Sequence, residues 1–202
     1  MAATAERLIL ASASSARAAL LGAAGIAFAI EPATIDEHRM KREARRAGDA
    51  ATRCATTLAI AKACVVSRRH PEALVIGADQ LLVAGTEWFD KPNDLVEARA
   101  QLQALRGRTH ALATAACVAV GGVPLWRATS TPELTMRPFS DAFLDSYIAA
   151  EGEALLGSVG AYRLEGKGVQ LFSRISGDHF AVLGLPLLEV LGYLRERGVL
   201  GL

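Results

Sequence analysis

The sequence predicts an α/β fold with a mixed β-sheet flanked by helices, in a single domain of two lobes spanning residues 1–202. Three observations predict it. Short apolar runs alternate with alanine- and leucine-rich helical stretches, the first run breaks off in a hydroxyl-rich turn, and a glycine pair joins two extended runs into a hairpin. The chain is 51% hydrophobic over 202 residues, so it can bury a sizeable core and reads as globular rather than disordered.

Leu8 to Ala11 reads as a buried strand, and Ala16 to Ala24 as a good helix former stopping at Gly25. The turn between them, Ser12-Ala13-Ser14-Ser15, aims hydroxyls and backbone N–H groups at one spot. The helix N-terminus adds positive potential there, and Arg17 adds a planar fork of donors, which together describe an anion site. Without an anion, Ser14 or Ser15 is an N-cap and Arg17 a solvated first-turn residue. Ile26 to Ile30 reads as a second strand and Pro32 as a break. Ile35-Asp36-Glu37-His38 then places two acids in a loop before a basic helical segment. A helix is expected over about Ala50 to Val66, with Lys62 near its end. Leu74-Val75-Ile76 is a strand ending in Gly77-Ala78-Asp79-Gln80, and extended character resumes at Leu81 to Ala84, so Asp79 is expected at an interruption.

Lys91-Pro92-Asn93-Asp94 forms a stiff loop into a helix over Leu95 to Leu105, capped by Asn93 or Asp94. His110 to Val120, Gly121-Gly122 and Val123 to Ala128 give the hairpin. Ser140 to Ala150 and Pro186 to Arg197 read as helices around a glycine-dense region, Gly157 to Gly184. Neither an internal repeat nor a low-complexity tract interrupts this order.

Charge and motif content exclude several classes. A net charge of +1 provides no global basic field, so extended nucleic-acid binding is not expected. Cys54, Cys64 and Cys117 are an odd set without metal-finger spacing, which fits a reducing cytoplasm. Glu6 and Arg7 precede only a short apolar run, so no signal peptide is expected, and no apolar stretch is long enough for a membrane span. The phosphate-loop, dinucleotide-fingerprint and nucleophile-elbow motifs are all missing, and the four histidines show no zinc spacing.

What remains is a constellation. The Ser12–Arg17 turn, Asp36-Glu37 and Gly77-Ala78-Asp79 all fall at or just after expected strand ends, where α/β folds gather their ligands. Lys62 and Lys91 are two further cations, and Glu165 lies in the glycine-dense loop between Arg163 and Lys167. Singly, each has a plain structural reading as a turn cap or solvated charge. Jointly, hydroxyls, cations and carboxylates are the set that metal-assisted phosphate chemistry requires.

These residues carry a resemblance that spans almost the whole chain. Leu-Ala-Ser-Ala-Ser at 10 to 14 with Arg17, Ile-Asp-Glu at 35 to 37, Leu-Ala-Ile-Ala-Lys-Ala at 58 to 63, and Ile-Gly-Ala-Asp at 76 to 79 occur in order. They are followed by Lys91-Pro92, Leu-Arg-Gly-Arg-Thr-His at 105 to 110, Gly160-Ala161-Tyr162, Glu165-Gly166 and Gly-Leu-Pro-Leu at 184 to 187. The chain resembles the Maf family of nucleoside triphosphate pyrophosphatases. The resemblance implies a two-lobed, ITPase-like α/β fold with a central cleft and a homodimer. It also implies hydrolysis of a nucleoside triphosphate to monophosphate and pyrophosphate with a divalent cation, Mg²⁺ or Mn²⁺. It makes Asp79 the general base, puts Ser12, Arg17, Glu37, Lys62 and Lys91 around the phosphates, and gives Glu37 and Asp79 to the metal; whether Asp79 acts as base or ligand stays open. The alternative is a nucleotide-binding regulator of septum formation and cell division with little turnover.

The departures concern the base. The family's Ser-Pro-Arg-Arg is here Ser14-Ser15-Ala16-Arg17, without the proline and one arginine. Gln80 after the aspartate, with Glu165-Gly166, resembles the 7-methyl-GTP branch rather than the dTTP and UTP branch. Glu165 can accept from the N1–H and N2–H₂ donors of guanine. Against this, Ala16 stands where that branch carries an aromatic side chain, and alanine cannot stack on a base.

Overall fold

A computed structural model describes residues 7–201. The stretch through Glu6, on which the expectation of no signal peptide rests, lies outside the described residues. The order of elements is β1 (Leu8–Leu10), α1 (Ser15–Ala23), β2 (Ala29–Ile30), α2 (Glu37–Ala47), α3 (Ala51–Ser67), β3 (Leu74–Ala84), β4 (Glu87–Phe89) and α4 (Leu95–Leu105). Then come β5 (Thr109–Val120), β6 (Val123–Ser130), β7 (Glu133–Met136), α5 (Asp141–Glu151), β8 (Phe172–Ser176), α6 (His179–Val182) and α7 (Leu187–Glu196). β1 pairs in parallel with β2 and β3, whereas β4, β6, β7 and β8 join antiparallel. The fold is therefore α/β with a mixed sheet, as the alternation of elements predicts.

The chain forms two compact units. One takes the chain up to Gln80, with Thr114–Ser130 and everything from Phe180 onward; the other takes Leu81–Ala113 and Thr131–His179. In the first unit the strands follow the order β2-β1-β3-β5-β6. Their alternation is strict. Leu8, Leu10, Leu74, Ile76 and Ala78 pack with Leu21 of α1 and with Leu187, Val190 and Leu194 of α7. Ile9, Ala11 and Val75 face the other way, against Val66 of α3. β3 is thus buried on both faces, which is the position of a strand covered by helices on both sides, and consecutive residues serve opposite layers. By the same alternation Gly77 and Asp79 share the α3 face, and Gln80 shares the opposite face with Ile76 and Ala78.

Gly77 sets how close α3 comes. A Cβ at this position would lie 2.3 Å from the Ala59 carbonyl oxygen and 2.5 Å from the Ala63 nitrogen, so the helix rests directly on the strand backbone. In the second unit, the last residues of β3 pair with β4, and β7 lies between β5 and β8. Asp94 caps α4, its Oδ1 accepting from Glu97 N at 2.7 Å, as the loop sequence predicts. His110 is 2% exposed, with Nε2 2.8 Å from Tyr162 Oη. Burial lowers its pKa to about 4, with the charge of Arg108 adding to the effect, so its ring is neutral at physiological pH.

Several expectations need correction. There is no interruption at Asp79, because β3 runs unbroken from Leu74 to Ala84. Tertiary pairing overrides the poor strand propensity of Gly77 and Asp79. Glu37 does not lie in a loop but opens α2, with Asp36 as N-cap accepting from Arg39 N at 2.9 Å. The second strand is only Ala29–Ile30, and the hairpin's second strand extends to Ser130. The glycine-dense region holds β8 and α6, neither expected from its composition. No helix among the described residues is long and apolar enough to cross a membrane.

Candidate active site

The turn after β1 holds one of the N-caps that its sequence offers. Ser14 is the N-cap of α1, its Oγ accepting from Arg17 N at 3.4 Å, while Ser12 Oγ accepts from Ser14 N at 3.2 Å. Arg17, however, is not solvated. It is 9% exposed, its Nη1 donates to Ser12 Oγ at 3.0 Å, and its Nε donates to the Gly184 carbonyl at 2.7 Å. Burial lowers the pKa of Arg17, and the negative charges of Asp79 and Glu37 oppose that shift, so the cation belongs to the same electrostatic cluster as these carboxylates.

α3 delivers Lys62 to that cluster. Its Nζ donates to Asp79 Oδ1 at 2.5 Å and lies 2.9 Å from Glu37 Oε1. The side chains of Lys62 and Asp79 are 9% and 6% exposed, against 39% for Glu37, so one carboxylate is sealed in and the other opens to solvent. Asp79 Oδ2 is buried and has no hydrogen-bond partner among the described groups. A buried carboxylate oxygen without a donor is costly in a folded protein, so an unmet oxygen on the carboxylate that Lys62 holds can serve as an acceptor for a proton or a cation.

That atom also tests the implied divalent metal. Among the described residues no cluster of three or more histidines, cysteines and carboxylates is placed to hold an ion. Two carboxylates sharing one ammonium, one with an unmet oxygen, fit a hard cation such as Mg²⁺, which typically binds one or two carboxylates and completes its shell from phosphate and water.

The remaining expected residues make none of these contacts. Gln80 faces away from Asp79 across β3, and its Nε2 donates to Thr114 Oγ1 at 2.8 Å, to Ala181 O at 2.8 Å and to Val182 O at 3.2 Å. Ala16 lies in the first turn of α1, half-buried. Lys91 and Glu165 belong to the second unit, and both are exposed. Arg163 Nε donates to Glu165 Oε1 at 3.3 Å, its Nη1 donates to Glu151 Oε2 at 3.4 Å, and Lys167 N donates to Glu151 Oε1 at 3.0 Å, so Glu151 braces the loop that carries Glu165. Ser12, Arg17, Glu37, Lys62 and Asp79 are therefore brought together, while Gln80 is turned to the other face of the same strand. Sequence reasoning missed Thr114 and Glu151, and it quoted Gly184 only within a motif, without a role at the site. Only Gly184 carries a signal, as a glycine before Leu-Pro, and its φ of +101° needs glycine.

Comparison with known proteins agrees with the order of motifs. The family profile described as Maf-like protein matches residues 7–197. The chain is 55% identical over 194 residues to the nucleoside triphosphate pyrophosphatase of Granulibacter bethesdensis, covering 96% of this chain and 98% of that protein. It is 50% identical to the protein of the same name from Paramagnetospirillum magneticum, over 95% of this chain and 99% of that one. It is also 47% identical to the 7-methyl-GTP pyrophosphatase of Rhizobium meliloti, over 96% of this chain and 97% of that one. A profile match along nearly its whole length and relatives covered end to end make this chain a member of the Maf family.

Proposed function

We propose that this chain is a nucleoside triphosphate pyrophosphatase, which hydrolyses a nucleoside triphosphate to monophosphate and pyrophosphate. The observation that carries the reading is the buried Lys62–Asp79 contact at 2.5 Å, with Asp79 Oδ2 unmet beside it. A water oxygen attacks the α-phosphorus, the bond from that phosphorus to the α,β-bridging oxygen breaks, and pyrophosphate leaves with the bonding electron pair. Asp79 accepts the water proton. Lys62 holds Oδ1 and so orients Oδ2. Arg17, Ser12 and the first N–H groups of α1 hold phosphate oxygens, and the charges of Arg17 and Lys62 stabilise the negative charge that develops on them. Glu37 would hold a divalent cation, Mg²⁺ or Mn²⁺, joined by Asp79 if its Oδ2 serves the cation instead of the proton; when bound, the cation supplies charge neutralisation and polarises the phosphoryl group. Lys91 is assigned to phosphate in the same reading.

The base is proposed to be a guanine, with 7-methyl-GTP preferred. Glu165 supports this, since its carboxylate accepts from the guanine N1–H and N2–H₂ donors and favours a base made positive by methylation. The name of the Rhizobium meliloti relative points the same way. A homodimer is expected, to be checked as a solution mass twice that of the chain.

Pyrophosphate release from ATP, GTP, CTP, UTP, dTTP and 7-methyl-GTP, with Mg²⁺ or Mn²⁺ titrated, tests the reading. Highest kcat/KM on 7-methyl-GTP is expected. Preference for UTP or dTTP overturns the base assignment, and tight nucleotide binding without turnover overturns the enzymatic reading in favour of a regulator.

A further inference from the structure

Asp79 and Gln80 are neighbours whose side chains leave β3 on opposite faces, one toward Lys62 and the other toward α6. The Ala181 carbonyl is the focus of the second face. It accepts from Gln80 Nε2 at 2.8 Å, from Thr114 Oγ1 at 2.9 Å and from Gly184 N at 3.0 Å. Gln80 Nε2 also donates to Thr114 Oγ1 at 2.8 Å, which ties β3, β5 and α6 at one point. A carbonyl oxygen has two lone pairs, so these three donors share them, and their convergence from β3, β5 and the following turn restrains its direction. α6 has only four residues and no strength of its own, so these side chains decide where its last turn lies.

That turn ends at the site. Gly184 follows two residues after α6, with φ +101°, and its carbonyl accepts from Arg17 Nε at 2.7 Å. A Cβ at Gly184 would lie 3.3 Å from Arg17 Nε, so the backbone approaches the guanidinium as closely as only glycine comfortably permits. Nε and Nη1 are held by Gly184 O and Ser12 Oγ, which sets the plane of the guanidinium.

We propose that Gln80 and Thr114 are positioning residues for Arg17. They lock the Ala181–Gly184 turn, and the Gly184 carbonyl then aims the guanidinium toward the substrate phosphate. The proposal rests on the reading of Arg17 as a phosphate contact, and it gives Gln80 a role in orienting a cation rather than in touching the base.

A double-mutant cycle tests it, read as kcat/KM for pyrophosphate release from GTP and from 7-methyl-GTP with Mg²⁺. Thr114→Val removes one donor to Ala181 O and one acceptor of Gln80 while keeping the side-chain volume. Its kcat/KM is expected to fall about tenfold on both nucleotides, because a small misplacement of a phosphate-holding group is costly. Thr114→Ser restores it, and Gln80→Leu reproduces the loss. In an Arg17→Ala background Thr114→Val causes no further loss, because the group it positions is gone. A full Thr114→Val loss on top of Arg17→Ala, a wild-type kcat/KM in Thr114→Val, or a lowered melting temperature with unchanged kcat/KM of the folded protein overturns the proposal. A Gln80→Leu loss confined to one of the two nucleotides overturns it in favour of base contact. If Arg17→Ala alone keeps wild-type kcat/KM, or the unaltered protein releases no pyrophosphate, the reading of Arg17 fails first and the proposal falls with it.

Discussion

Replacing Gly77 by alanine puts a methyl group where α3 already sits. The added Cβ would lie 2.3 Å from Ala59 O, 2.5 Å from Ala63 N and 2.9 Å from Ala63 Cβ, whereas ordinary contact begins near 3.4 Å. Two of these are backbone atoms that no rotamer change can move, so the helix must withdraw by about 1 Å. Overpacking of this kind costs typically about 1–3 kcal/mol, and a backbone obstacle belongs at the upper end. In a chain of this size about 3 kcal/mol lowers the melting temperature by roughly 6–12 °C. Function should suffer beyond that, because Lys62 shares the strand-facing side of α3 with Ala59 and Ala63 and withdraws with it. Its 2.5 Å contact with Asp79 then lengthens, and a misplacement of about 1 Å in a reacting constellation can cost on the order of 100-fold in rate. The assay pairs thermal unfolding with pyrophosphate release from 7-methyl-GTP, measured well below the melting temperature. A Gly77→Ala protein that melts within about 2 °C of the original, or that keeps full turnover while folded, would refute the spacing argument.

Asp79→Asn is expected to keep the fold, since Lys62 retains Glu37 at 2.9 Å, and to lose about 100-fold or more in kcat; near-normal turnover would sink the base assignment. Lys62→Met leaves Asp79 buried without its nearest cation, and losing one member of a buried pair costs roughly 3–5 kcal/mol. Adding Asp79→Asn should recover most of that stability without recovering turnover, which unfolding curves of the single and double variants will read. His110 sets a pH dependence of stability: its folded pKa of about 4 lies below the ordinary 6.5, so the unfolded chain binds a proton that the folded chain refuses. Its contribution is complete above about pH 6.5 and is lost as pH falls toward 4, up to roughly 3 kcal/mol. Denaturant midpoints between about pH 7 and pH 5 should therefore fall less steeply in His110→Gln than in the unaltered protein, and equal slopes would contradict a buried neutral ring.

Local signals in the sequence carried far where local physics decides. The Ser14 cap of α1, the Asp94 cap of α4, the glycine-paired hairpin and the mixed α/β order depend on nearest neighbours along the chain, and each is present. The cation and carboxylate types gathered around Asp79 were likewise readable from composition and motif order. What local pattern misjudged was β3. Gly77 and Asp79 are poor strand formers, so the sequence read as a break, yet β3 is held on both sides and on both faces and runs through them. The same limit hid β8 and α6 in a glycine-dense stretch, where side-chain periodicity is too sparse to reveal an element that long-range pairing stabilises.

By itself, then, the sequence determined the fold class, the family and the chemical identity of the groups at the site. Tertiary structure decided their connections: that Arg17 is buried and gripped by Gly184, that Lys62 reaches Asp79 from a helix that Gly77 lets rest on the strand, and that Gln80 turns away from Asp79 toward Ala181. The reason is distance along the chain. Arg17 and Gly184 are 167 residues apart and Gln80 and Ala181 are 101 apart, so no local periodicity records their meeting. Only the alternation of side chains on a strand buried on both faces assigns two adjacent residues to different layers.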